Sequence, residues 1–275
     1  MGATAVDPDD SLLIEIEEDR PPEASAAPHL HLEQPLGRGA MGEVWLARDD
    51  RLARKVALKL LGARLAHDER ARQRFVDEAR ATAQLAHPGI VPVHEIGTWS
   101  DGRPYYTMEV IRGETFGRRI EAHHRAGALP DELHHLVDHL RRACEAVGYA
   151  HARGVVHREL KPDNLLIGDF GQVLVVDWGL VRADPDAHEP VRTDRPPDLT
   201  HGPAGTPRYM SPEQVLGLPI GPRSDVFSLG AILVLLLEGR PAFPQDSLPG
   251  VLDAVAGGRA ALPTRGPEAL RSIAE

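Results

Sequence analysis

His157-Arg158-Glu159-Leu160-Lys161-Pro162-Asp163-Asn164, with Asp177-Trp178-Gly179 starting thirteen residues after Asn164, is the stretch that decides the fold. An amide and a carboxylate at this separation suit two neighbouring loops holding one divalent cation, and a lysine lies three residues before the amide. Hard cations such as Mg²⁺ take oxygen ligands, often one or two carboxylates together with substrate phosphates. Leu165–Ile167, a turn and Val173–Val176 read as a hairpin between the two loops. Asp169-Phe170-Gly171 falls inside that hairpin, only five residues after Asn164. Its Asp and Gly supply the tight turn, and Asp177 is the metal candidate.

Upstream lies Leu36-Gly37-Arg38-Gly39-Ala40-Met41-Gly42-Glu43-Val44. Glycines spaced this way let a backbone approach phosphates, because a Cβ would obstruct it. Alone, the pattern fits a dinucleotide fold equally well. Here it lies between two strands and not at the mouth of a helix, and no Gly-Lys-Ser/Thr phosphate loop is present. The following strand, Lys55–Leu61, carries Lys59 among Ala57, Leu58 and Leu60. Lysine seldom enters such a place unpaired. Glu78, nineteen residues on, can supply the partner, whereas the bland alternative is a strand lysine facing solvent.

Around these motifs, strands come first and helices follow. Arg70–Leu85 reads as a helix with Phe75, Ala79 and Ala83 near one face, and strand-like runs follow at Ile90–Ile96 and Tyr105–Ile111. Leu133, Leu136, Val137, Leu140, Cys144 and Val147 mark one face of a long helix that Gly154 stops. Residues 180–204 have no period and read as a long loop; Ser224–Glu238 reads as a buried helix. The order implies an α+β fold with two lobes.

Composition sets further bounds. Apolar residues at 42% and charged residues at 26% are ordinary for a globular domain. The net charge of −10 is concentrated in residues 1–23, where eight acids face Arg20 alone. Residues 1–28, acidic and then rich in Pro and Ala, read as a disordered tail. No basic stripe favours nucleic acid. A single cysteine, Cys144, fits a reducing compartment, and no secretory leader or membrane-length apolar run is seen, so a soluble cytoplasmic chain is expected. His135 and His139 share the i, i+4 spacing of a zinc pair but lack an evident third ligand.

Gly205-Thr206-Pro207-Arg208-Tyr209-Met210-Ser211-Pro212-Glu213 and Ser224-Asp225-Val226-Phe227-Ser228-Leu229-Gly230 complete the ordered set. Together the motifs resemble those of a bacterial, eukaryotic-like (Hanks-type) serine/threonine protein kinase domain. The resemblance implies an α+β, two-lobed kinase-like fold over residues 29–275: a small lobe at 29–108, a hinge at 109–113, and a mainly helical large lobe at 114–275 that is incomplete. It implies the substrates ATP and a protein Ser/Thr hydroxyl, Mg²⁺ as cofactor, and a homodimer in which one copy phosphorylates another.

Carried residue by residue, the resemblance puts the glycine loop Gly37 to Glu43 over the phosphates. Leu36, Val44, Ala57 and Leu166 would enclose the adenine, Met108 would guard the pocket, and the backbone of Glu109 and Ile111 would hold the base edge. Lys59, aligned by Glu78, would hold the α/β-phosphates. Asn164 and Asp177 would hold Mg²⁺, and Lys161 would offset charge on the γ-phosphate. Asp225 would anchor the catalytic loop, and Arg158 would meet a phosphorylated Thr193 or Thr200.

Two positions depart from the pattern. Glu159 stands where the family keeps its catalytic aspartate, and the added methylene displaces the oxygens by roughly 1 Å, an error that can cost about 10²-fold. The implied activity is therefore a kinase slowed by Glu159; the alternative is a pseudokinase that binds nucleotide and acts as a scaffold or switch. Also, no arginine after Pro267 matches the one that pairs, in the family, with the glutamate at Glu213.

Overall fold

The computed structural model describes residues 27–39, 41–178, 182–183, 191 and 205–274. Five strands open the chain: β1 (Leu30–Gly39), β2 (Gly42–Asp49), β3 (Arg54–Leu61), β4 (Val93–Thr98) and β5 (Pro104–Met108). They form one antiparallel sheet in the order β1-β2-β3-β5-β4. Alternation in β3 sends Val56, Leu58 and Leu60 to one face, where they pack with Leu30, Ala47, Trp99 and Tyr105. Ala57, Lys59 and Leu61 take the other face, beneath helix α1 (Glu69–Ala83), where Leu61 packs against Phe75, Ala79 and Tyr106. Asp68 caps α1 by accepting from the N–H groups of Arg70 and Ala71. The buried face runs through Phe75, Glu78, Ala79 and Thr82; Ala83, expected on it, is exposed.

The sheet differs from the sequence reading at two boundaries. The run Ile90–Ile96 is strand only from Val93, because Ile90 instead bridges to Val175 in the second lobe and the Gly89 carbonyl accepts from Val175 N–H. The run Tyr105–Ile111 stops at Met108. Gly113, expected to close the hinge, opens strand β6 (Gly113–Thr115) and pairs with Gly168 at φ +150°. A Cβ there would stand 1.9 Å from the Ile167 carbonyl oxygen.

The second lobe holds α2 (Phe116–Arg125), α3 (Pro130–Ala152), β7 (Val155–Val156), β8 (Leu165–Gly168), β9 (Val173–Val175), β10 (Arg182–Ala183), α4 (Pro212–Val215), α5 (Pro222–Glu238), α6 (Leu248–Ala256) and α7 (Glu268–Ala274). Leu136, Leu140, Ala143, Ala146, Val147 and Ala150 bury one side of α3. Cys144 is exposed, not on that face: at 3.6 residues per turn the position seven after Leu136 returns to it, and Ala143 occupies that position. Helix α5 is buried nearly all round, as its sequence requires, and ends at Gly239 in the left-handed region (φ +72°).

Strand β8 lies between β6 and β9, and β7 pairs with β10. The 180–204 segment, expected as loop throughout, therefore contains a two-residue strand, paired at Arg182 and Ala183; Thr193 and Thr200 lie outside the described residues. At the other end, Ala27 is buried in the small-lobe core, so the packed chain begins within the segment expected as tail. No described helix is long and apolar enough to cross a membrane.

Candidate active site

Register positions the central lysine. Lys59 sits opposite Val44 on β2 and Tyr106 on β5, with its side chain under α1. Its Nζ donates to Glu78 Oε1 at 2.7 Å and to Asp177 Oδ1 at 2.9 Å. Tyr106 Oη donates to the same Glu78 oxygen at 2.8 Å, a partner that sequence reading missed although it faces Lys59 across the ladder. Lys59 and Glu78 are only 7% and 2% exposed, so solvent is not what Lys59 faces. Burial works against the ammonium, but Glu78, Tyr106 and Asp177 outweigh it and hold its pKa well above the usual lysine value. Burial also pushes the Asp177 carboxyl up; the adjacent Lys59, helped by His157 and Lys161, reverses this and holds it below the usual aspartate value.

The loops bearing Asn164 and Asp177 are tied together by the backbone. Asn164 is buried, its Nδ2 donates to the Glu159 carbonyl at 2.8 Å, and its own carbonyl accepts from Val176 N–H at 3.0 Å. With Nδ2 committed, Oδ1 is the group Asn164 has left for a cation. His157, fully buried, makes a second tie: Nε2 donates to the Val176 carbonyl at 3.0 Å, and Nδ1 accepts from Glu159 N–H at 3.3 Å. Those two partners fix its tautomer. Trp178 is buried, its ring centroid 4.7 Å from that of His157, and its Nε1 donates to the Val175 carbonyl. Asp169 and Gly171 lie in the β8–β9 turn, with Gly171 at φ +76° and Phe170 exposed to solvent.

Below these loops sits Asp225, which is fully buried. It accepts from the backbone N–H groups of His157 and Arg158, each at 2.8 Å, and from His151 Nε2 at 2.7 Å. Arg158 is held at φ +70°, a conformation disfavoured for any side chain beyond glycine. Gln214 fastens the next segment: its Nε2 donates to the Arg158 carbonyl at 2.6 Å, and its Oε1 accepts from Ser211 N–H. Neither His151 nor Gln214 was singled out from sequence. Glu159 Oε1 stands 3.7 Å from Lys161 Nζ, and a Cβ on Gly205 would stand 3.8 Å from the Glu159 Cγ.

The glycine-loop residues separate into two groups. A Cβ on Gly37 or Gly39 would meet nothing within 4 Å, which leaves room beside the backbone for a ligand. A Cβ on Gly42 would stand 2.0 Å from the Leu60 carbonyl oxygen, so strand contact by itself already requires glycine here. Met41 packs on the Leu61–Phe75 cluster, and Glu43 accepts from Trp45 Nε1 at 3.0 Å and faces Arg103 at 3.4 Å and Arg38 at 3.8 Å. Both therefore spend their side chains on protein partners. Ala40 lies outside the described residues.

Ala57 is buried opposite Met108, while Val44 and Leu166 are half-buried. Leu36 is 47% exposed and lines a cleft of about 670 Å³ with Gln34, Leu46, Lys55 and residues 109–112. Glu109 N–H donates to the Pro92 carbonyl, and among the described residues its carbonyl and the Ile111 N–H have no hydrogen-bond partner. Those are the groups a base edge needs.

Glu213, for which the sequence offers no matching arginine, is half-buried and accepts from the Ser224 hydroxyl; no cation pairs with it among the described residues. His135 and His139 belong to no metal-ligating cluster among the described residues.

The family model described as "Protein kinase domain" matches residues 30–256. A serine/threonine-protein kinase PknD of Protochlamydia amoebophila is 37% identical over 229 residues, covering 78% of this chain and 23% of the relative. A serine/threonine-protein kinase PknA of Mycobacterium tuberculosis (strain H37Rv) is 39% identical over 219 residues, covering 78% of this chain and 48% of the relative. The chain thus spans between about a quarter and about half of the length of these relatives.

Proposed function

The chain belongs to the protein kinase domain family, and from that premise we propose that it transfers the γ-phosphoryl group of ATP to Ser or Thr hydroxyls of proteins. One observation carries this reading: the buried Lys59 bridges Glu78 and Asp177 at 2.7 and 2.9 Å. It stands beside a loop whose amide oxygen is left for a cation. A scaffold without nucleotide chemistry gains nothing from a charged triad that costs desolvation of Lys59 and Glu78.

The site's residues fit Mg-ATP. Gly37 and Gly39 leave open space, Lys59 offers a fixed cation for phosphate oxygens, and the Glu109 carbonyl and Ile111 N–H offer an acceptor and a donor to the base. Asn164 Oδ1 and Asp177 would hold Mg²⁺, which when bound neutralises charge on the phosphate oxygens. Lys59 binds both Glu78 and Asp177, so an arriving phosphate and cation would divide that pairing between them. An acceptor hydroxyl oxygen attacks the γ-phosphorus as the bond to ADP breaks, and Glu159 takes the hydroxyl proton. Lys161, 3.7 Å from Glu159, would offset charge on the transferring group.

Glu159 itself favours a second reading, in which nucleotide binds without transfer. Its basicity is adequate, since Glu and Asp differ by less than about half a pKa unit. Reach is what the longer side chain alters. Incorporation of radiolabelled phosphate by the native chain, by Glu159→Asp and by Asp177→Asn distinguishes the two. Signal in the native chain that vanishes in Asp177→Asn establishes transfer. Signal in Glu159→Asp alone establishes a silenced kinase. Absence of signal in all three, with Mg-ATP still raising the melting temperature, establishes a nucleotide-binding module.

A further inference from the structure

The turn joining β4 and β5 sends one charged side chain inward. Trp99 N–H donates to the Arg103 carbonyl at 2.7 Å, Gly102 N–H donates to the Trp99 carbonyl at 3.0 Å, and Gly102 takes φ +84°. Asp101 Oδ1 accepts from Arg103 N–H at 3.0 Å. Ser100, Asp101 and Gly102 are exposed, whereas Arg103, the last residue of the turn, is only 6% exposed. A guanidinium has donors alone, and a buried one must find acceptors.

Those acceptors lead across the sheet to the glycine loop. Arg103 Nε donates to Asp101 Oδ2 at 2.7 Å; its Nη1 donates to the Leu61 carbonyl at 2.9 Å and reaches Glu43 Oε1 at 3.4 Å. Glu43 belongs to the outgoing arm of the loop. Its other oxygen accepts from Trp45 Nε1 at 3.0 Å and stands 3.8 Å from Arg38, its register partner on the incoming arm. A second route runs through the backbone. The peptide unit between Leu61 and Gly62 is gripped at both ends: Arg103 holds its carbonyl, and its N–H donates to the Met41 carbonyl of the loop at 3.0 Å. One side chain from β5 thus fastens β2, β3 and the glycine loop together. A buried ion pair adds little net stability over a well-packed apolar side chain. What this one supplies is a fixed distance between a rigid turn and the loop.

We propose that Arg103 is a positioning residue, which pre-orders the glycine loop over the phosphates through Glu43 and through the Leu61–Gly62 peptide without itself touching nucleotide. The inference rests on the kinase reading above and adds to it a residue outside every motif of the site. A loop held in its bound conformation beforehand need not be ordered when the ligand arrives, and that difference appears as affinity. Only the phosphates lie under the loop, so the gain belongs to them and not to the base.

Calorimetric titration of adenosine, and of a Mg-bound non-hydrolysable ATP analogue, into the native chain, Arg103→Met and Glu43→Gln tests this. Asp101 is solvated, so Arg103→Met strands Glu43 chiefly. Glu43→Gln keeps side-chain volume and an acceptor for Trp45, and it serves should the arginine variant not fold. Each variant should bind the ATP analogue about tenfold more weakly and adenosine less than about twofold more weakly. The double variant should lose no more than Arg103→Met alone, because the two residues form one tie. Equal losses for both ligands mark general damage and overturn the assignment, as does unchanged affinity for the ATP analogue; the nucleotide site stands in either case. Phosphate-selective loss in the variants, with no radiolabelled phosphate transferred by the native chain, sinks the kinase reading and keeps the role of Arg103. A native chain that binds neither ligand overturns both.

Discussion

Replacing Asp225 by Asn changes a single atom in a side chain that holds three donors. Oδ1 accepts from Arg158 N–H, and Oδ2 accepts from His157 N–H and His151 Nε2. Asparagine has one oxygen. In its better orientation it keeps His157 and His151 and turns an NH₂ group toward the Arg158 N–H, leaving a buried donor facing a donor. Hydrogen bonds to a charged group contribute about 1.5–3 kcal/mol each, and a buried unsatisfied donor costs about 1–3 kcal/mol. Losing one bond and weakening two, at a site wholly removed from solvent, gives a loss of about 3 kcal/mol. The released N–H also belongs to a residue held at φ +70°. Freed from its tether, Arg158 relaxes toward ordinary backbone and moves the adjoining Glu159, and a misplacement of about 1 Å costs about 10²-fold in rate. Urea unfolding gives the first number, and phosphate incorporation well below the unfolding transition gives the second. A variant within about 0.5 kcal/mol of the native chain, the range of an ordinary surface substitution, with transfer unchanged, refutes the reasoning.

Gly42→Ala should cost about 1–3 kcal/mol, since its Cβ must displace the Leu60 carbonyl region of β3, whereas Gly37→Ala should leave stability unaltered. Equal midpoints for the two in denaturant unfolding would contradict this. Because Asp177 titrates below the usual aspartate value, the stability its charge provides is complete above the unfolded-state value and is lost as pH falls through the depressed one. Asp177→Asn should therefore flatten the acid limb of the stability profile below about pH 4, and parallel limbs would count against the Lys59–Asp177 contact.

Much of the site is legible in sequence because its chemistry is local. The catalytic-loop run and the aspartate beyond the hairpin are fixed by chain spacing, and the decoy Asp169-Phe170-Gly171 falls to the same spacing argument, since five residues leave no room for two strands. Lys59 and Glu78 are legible because a period of 2 and a period of 3.6 point each toward the other. What escapes are groups whose role depends on long-range packing. Tyr106 reaches Glu78 from another strand, His151 reaches Asp225 across 74 residues, and Gln214 reaches Arg158 across 56. None carries a local signature. Gly42 escapes for a different reason: in a glycine-rich loop, strand contact and phosphate approach call for the same residue. Boundary errors at Ala83 and Ile111 come from apolar residues just past the point where tertiary packing ends a face or a strand, whereas Cys144 is misplaced mid-helix because the neighbouring Ala143 holds the periodic position.

The central claim is that Asn164 and Asp177 converge on one cation beneath the glycine loop. Calorimetric titration of a non-hydrolysable ATP analogue, with and without Mg²⁺, into the native chain and Asp177→Asn addresses it without requiring turnover. Magnesium should tighten binding to the native chain at least about tenfold, roughly 1.4 kcal/mol, and should do little for the variant. Affinity in the native chain that is indifferent to Mg²⁺, or the same Mg²⁺ response in both proteins, would contradict the account.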